Sequence, residues 1–115
     1  MNIVPKRVFS NAATTCPKVF FEQHSLSVAE WKLNVPKALN SLDHEMCNMM
    51  IEELKRWKKT DAQPRVLLMS GMGERAFCSG GNIVDLYNAH TIPGADKSIL
   101  VEFFAREYLL DYTLS

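Results

Sequence analysis

The stretch AFCSGGNI, residues 76–83, places two adjacent glycines between an apolar run and a helix-like segment. Gly80 and Gly81 lack a Cβ, so a bound molecule can approach the main chain closely there. Amides at the start of a helix point outward, and the helix dipole favours negative charge beside them. Such a turn suits a thioester or carboxyl oxygen that gains charge in a transition state, where one donor is worth roughly 10²–10³ in rate. The same residues also make a plain strand-to-helix turn with no chemistry attached, and composition does not separate the two. Other glycine-loop chemistries fit worse. No Lys-Ser or Lys-Thr follows the glycines, so the phosphate-binding P-loop pattern is absent. Gly71, Gly73 and Ala76 approximate a dinucleotide fingerprint, but no helix can begin before FCSGG, so the spacing is wrong.

The elements that must hold this turn are readable from hydrophobic period. KVFFEQ (18–23) is rich in strand formers, and LSVAEWKLN (26–34) alternates, with Leu26, Val28 and Glu30 on one face and Ser27, Ala29, Trp31 and Leu33 on the other. The intervening QHS predicts a β-hairpin, and Pro36 ends its second strand. From Leu42 the period lengthens: Leu42, Met46, Met49, Met50, Leu54 and Trp57 predict an amphipathic helix with one buried stripe. Asp43 is its expected cap, and Lys55, Arg56, Lys58 and Lys59 crowd its far end, where cations suit the dipole. RVLLMS (65–70) is a continuous apolar run between Pro64 and Gly71, the pattern of a parallel strand buried on both faces. NIVDLYNAH starts another helix after the glycines. A breaker-rich loop at 91–97 precedes a last helix, with Leu100, Phe103, Phe104, Tyr108 and Leu109 expected on its buried side.

Thirteen basic and thirteen acidic residues cancel across 115 residues, which sets no global field for DNA or an anionic membrane surface. No apolar run approaches the roughly 18–20 residues of a membrane helix. Cys16, Cys47 and Cys78 are widely spaced, with no C-x-x-C, which argues against a disulfide framework or a zinc site. Residues 1–18 are basic, hydroxyl-rich and free of acids, the composition of a mitochondrial transit segment, or else of a disordered tail. The folded domain is expected over residues 19–115.

Three blocks carry a family likeness. WKLNVPKALNSL, RVLLMSGMGERAFCSGGNI and FFAREYLL together resemble the crotonase, or enoyl-CoA hydratase, superfamily, and FFAREY tilts the resemblance to its 3-hydroxyisobutyryl-CoA hydrolase branch. The resemblance implies an α/β fold, the N-terminal part of a spiral of ββα units, here hairpin, helix, buried strand, glycine turn and two helices. It implies acyl-CoA thioesters as substrates, with CoA as part of the substrate and no metal or redox cofactor. Carried onto these residues, the Gly81 N–H becomes an oxyanion donor. Ser79 and Gly80 flank the CoA path, Lys37, Ala38 and Leu39 line the CoA entry, and Glu107 faces the acyl pocket. Two positions depart from the pattern: Val35 stands where the family has Arg, and Asn82 where it has Asp. The second oxyanion donor and the catalytic Glu and Asp of that branch are expected beyond Ser115, so the 115-residue chain alone is expected to be nearly inactive. The implied setting is mitochondrial valine breakdown. A non-catalytic role in the small subunit of the mitochondrial ribosome is the alternative, with Lys55, Arg56, Lys58 and Lys59 as the RNA-facing cluster.

Overall fold

The computed structural model describes residues 16–61 and 63–115. Most of the expected transit segment lies outside these residues. The elements run in the expected order: strands β1 (Val19–Gln23) and β2 (Val28–Leu33), helix α1 (His44–Thr60), strand β3 (Val66–Gly71), and helices α2 (Ile83–Thr91) and α3 (Ser98–Leu114). Among the described residues no helix is long and apolar enough to cross a membrane.

The three strands form one sheet in the order β1-β2-β3. The first pair is antiparallel and the second parallel. Alternation in β2 fixes the inner face: Ala29, Trp31 and Leu33 are buried while Val28, Glu30 and Lys32 turn outward. Register sets Phe21 opposite Trp31 on that inner face, and their rings meet edge to face at 5.4 Å. Trp57 of α1 closes on Trp31 from above, with ring centroids 5.3 Å apart. Burying large aromatics removes most apolar area per residue, so this trio anchors the helix on the sheet. The helix stripe falls as its spacing predicts, with Met46, Met50 and Trp57 buried and Met49 and Leu54 partly so. Asp43 caps α1, its side chain accepting the Met46 N–H at 2.8 Å.

Two expectations need correction. Strand β3 is covered on one face only, with Val66 and Leu68 each 48% exposed. It pairs in parallel with β2 as expected, but it is an edge strand, and only the face that carries Leu67 and Met69 packs against the core. Helix α3 buries Phe103 and Leu110, whereas Phe104, Tyr108 and Leu109 stay substantially exposed. The residues seven apart align along the helix axis and meet the core, while the intervening apolar ones fan outward.

Candidate functional site

The two segments that flank the glycine turn are far apart in sequence and are joined through the main chain. Residues Pro36–Ala38 form a 3₁₀ turn, and the chain then passes through two left-handed residues, Leu39 (φ 55°) and Asn40 (φ 54°). This bend lays residues 39–42 beside residues 79–82. The Ser79 N–H donates to the Leu39 carbonyl at 3.1 Å, the Leu42 N–H to the Gly80 carbonyl at 2.7 Å, and the Asn82 N–H to the Leu42 carbonyl at 2.7 Å. Leu42 and Gly81 thus form a single parallel bridge. A parallel bridge uses the carbonyl before and the amide after the bridged residue. The Gly81 N–H is therefore turned away from Leu42, and among the described residues it meets no acceptor.

Asn40 holds this arrangement. It is 1% exposed, and its amide side chain is fully used. Its Oδ1 accepts the Val35 N–H at 2.8 Å, and its Nδ2 donates to the Met72 and Ala76 carbonyls, both at 2.9 Å. One side chain therefore ties the segment after β2 to the start and the middle of the loop after β3. Sequence reasoning assigned no role to it. The available signal was an Asn in a block of apolar and turn residues, which reads equally as a turn former. Gly71 packs beneath the same knot. A Cβ there would lie 2.4 Å from the Phe77 carbonyl oxygen and 2.6 Å from Asn40 Nδ2, so only glycine fits.

Of the residues implicated from sequence, Leu39, Ser79, Gly80 and Gly81 are thus brought together, with Ala38 next in chain. Lys37 is exposed on the 3₁₀ turn. Gly80 has φ 99°, and a Cβ there would meet nothing within 4 Å, so the backbone at this point faces open space. Gly81 faces α3 instead. A Cβ at Gly81 would stand 3.2 Å from the Phe103 ring and 3.7 Å from Glu107 Oε1. Asn82 caps α2, with Oδ1 accepting the Val84 and Asp85 N–H groups at 3.2 Å, so the turn keeps its helix start without the acid. A cavity of about 360 Å³ lies under α2. Its wall includes Asn82 and Phe103, which adjoin Gly81, but not Gly81 itself.

Burial raises the Glu107 carboxyl above its ordinary range, and Asp111 one turn on adds to the rise. A raised carboxyl favours the protonated form in the folded chain, so its stabilising share is present at low pH and is lost as pH climbs through the folded value. Glu107→Gln is expected to raise the melting temperature at about pH 7 and leave it nearly unchanged at about pH 4. Thermal melts at the two pH values check this, and an equal change at both rejects it. Cys47 is no nucleophile: burial pushes its thiol up to about 12, with Glu107 adding to the effect, so the reactive thiolate does not form near neutrality.

Residues 28–115 match the enoyl-CoA hydratase/isomerase family. A mitochondrial 3-hydroxyisobutyryl-CoA hydrolase from Danio rerio is 39% identical over 83 residues, covering 71% of this chain and 20% of the relative. Small ribosomal subunit protein mS47 from Neurospora crassa is 35% identical over 86 residues, covering 73% of this chain and 16% of its own. The chain therefore spans about a fifth or less of the length of these curated relatives. Among solved structures, a carnitinyl-CoA dehydratase from Mycobacterium thermoresistibile superposes with a TM-score of 0.68 at 36% identity, over 82% of this chain and 26% of that one.

Proposed function

The chain belongs to the enoyl-CoA hydratase/isomerase family, and from that premise we propose that its glycine turn binds the thioester carbonyl of an acyl-CoA, as part of a 3-hydroxyisobutyryl-CoA hydrolase-like protein of mitochondrial valine breakdown. The observation that carries this reading is the Gly81 N–H, turned away from its bridge partner and without an acceptor among the described residues. A carbonyl oxygen placed there takes one hydrogen bond, which strengthens as the oxygen becomes an oxyanion. Gly80 leaves room for the pantetheine arm beside it, and Ala38 and Leu39 form the opposite bank. Lys37, exposed at the mouth, is positioned to meet a CoA phosphate. Glu107 approaches Gly81 from α3, where its carboxyl would face the acyl group. The proposal involves no metal or redox cofactor, and CoA enters only with the substrate. For these 115 residues the proposed contribution is binding and carbonyl polarisation.

The test uses two CoA ligands that differ at one group, a ketone in which CH₂ replaces the thioester sulfur and the same molecule with that ketone carbonyl replaced by CH₂. The ketone is expected to bind about fivefold more tightly, the worth of one net hydrogen bond. Equal affinities would exclude the Gly81 assignment. Gly80→Ala adds a methyl that no protein atom within 4 Å opposes. It is expected to weaken both ligands by more than about tenfold, beyond the roughly 1–3 kcal/mol of backbone strain it adds to folding. Unchanged binding would show that no ligand runs past that position.

The likeness to mS47 favours a second reading, in which the chain takes part in the small subunit of the mitochondrial ribosome. Lys55 pairs with Glu52 and Arg56 with Glu53, and Lys58 and Lys59 are also exposed at this end of α1. Salt-sensitive co-sedimentation with that subunit, abolished by replacing Lys58 and Lys59 with Glu, is the outcome this reading requires.

A further inference from the structure

The hairpin has a second face, away from α1, and it is charged. Register sets Glu22 of β1 directly opposite Glu30 of β2. Like charges opposed across an antiparallel pair repel. Both are also largely withdrawn from water, with side chains 10% and 17% exposed. His24 follows Glu22 by two residues and lies over the pair. Its Nε2 stands 2.6 Å from Glu30 Oε2 and 3.9 Å from Glu22 Oε2. From β3, Ser70 Oγ donates to the other oxygen of Glu30 at 3.0 Å. Lys32 completes the group, with Nζ 3.2 Å from Glu22 Oε2 and 3.9 Å from Glu30 Oε2.

We propose that Glu22 Oε2, His24 Nε2 and Glu30 Oε2 form a binding site for a divalent transition metal of the zinc class. The three donor atoms lie within 4.8 Å of one another. Tetrahedral zinc bonds of about 2.0–2.2 Å set neighbouring donors roughly 3.3 Å apart. The His24–Glu30 separation must open by less than 1 Å to reach that spacing, and the His24–Glu22 separation must close by a similar amount. His24 is partly exposed at the hairpin turn, where its ring can make that adjustment. One imidazole and two carboxylates suit zinc, whereas calcium and magnesium take all-oxygen shells. None of these donors is a thiol, so the wide spacing of the three cysteines does not bear on the site.

Two further features fit. Ser70 holds Glu30 by its non-ligating oxygen, the outer-shell support that metal-binding carboxylates use. Two carboxylates face one lysine beside the imidazole, with the Glu22 and Glu30 side chains only 10% and 17% exposed, a place that suits a cation. Lys32 acts as the resident cation and competes with the metal; on metal binding its flexible side chain swings to solvent.

Titration of the 115-residue chain with zinc chloride by calorimetry, in a buffer that does not chelate, is expected to show one ion per chain at this site. His24→Ala and Glu30→Gln are each expected to weaken binding by more than about tenfold. Lys32→Met, which removes the competing cation, is expected to tighten it severalfold. In the unsubstituted chain, zinc should shift the imidazole nitrogen resonances of His24 and leave those of His44 and His90 in place, a readout that needs no variant to fold. Absence of binding, binding indifferent to His24→Ala, or weaker binding in Lys32→Met would overturn the proposal.

Discussion

Asn40→Ala is expected to remove about 3 kcal/mol of stability, because it strands three part-buried main-chain groups at roughly 1 kcal/mol each, the low end of the cost of an unmade bond. The groups are the Val35 N–H and the Met72 and Ala76 carbonyls. A loss of that size is a large part of the roughly 5–15 kcal/mol available to a small domain, so the variant should be mostly unfolded in mild denaturant. Asn40 also sits at φ 54°, a region Asn tolerates better than Ala. Asn40→Gly separates the two contributions, since glycine relieves the backbone but restores no hydrogen bond. Urea unfolding should place Asn40→Gly close to Asn40→Ala. An Asn40→Gly variant as stable as the parent would show that the amide network contributes little.

Gly71→Ala is expected to cost about 3 kcal/mol, at the upper end of what forced overpacking usually does. The added methyl meets two main-chain carbonyl oxygens, of Phe77 and Ala76, at 2.4 and 2.8 Å, and neither can rotate aside as a side chain would. The loop from Met72 to Ser79 must move, and Gly80 and Gly81 move with it. Binding of the proposed acyl-CoA ligand should therefore fall along with stability. The same methyl would lie 2.6 Å from Asn40 Nδ2, so the two substitutions share one cause of damage. In a double-mutant cycle the pair should lose less than the sum of the singles, with a coupling of at least about 0.5 kcal/mol. Simple additivity would mean that Gly71 and Asn40 act separately.

Local periodicity made the hairpin and α1 legible. Two-residue alternation in β2 put Ala29, Trp31 and Leu33 on one face without saying that this face is the buried one, and the three- and four-residue steps after Leu42 named the buried stripe of α1. The cap at Asp43 was legible because a short acid precedes an apolar period. In α3 the same method failed, since VEFFAREYLL offers apolar residues on most sides, and only packing decides that Phe103 and Leu110 go inward. In β3 an all-apolar run implied cover on both faces. Strand order decides cover, and a run of four apolar residues, Val66 to Met69, says nothing about being at the edge. The glycine turn could be located in sequence, but the free amide depends on the pairing of residue 42 with residue 81. Neighbouring residues carry no trace of that pairing. Asn40 was missed for the same reason: its partners lie up to 36 positions away.

The order of the strands in the sheet also sets an order of events in time. β1 and β2 are joined by a four-residue turn and can zip on the microsecond scale of hairpins. β3 can join them only after the whole of α1 has been laid across, because a parallel neighbour needs that crossover. VLLMS thus waits longest for its partner, and once docked it still presents an uncharged, proline-free outer rim. The youngest strand of the nascent sheet is therefore also the one best suited to recruit a stranger, and chaperone dependence during synthesis should track that segment more than any other.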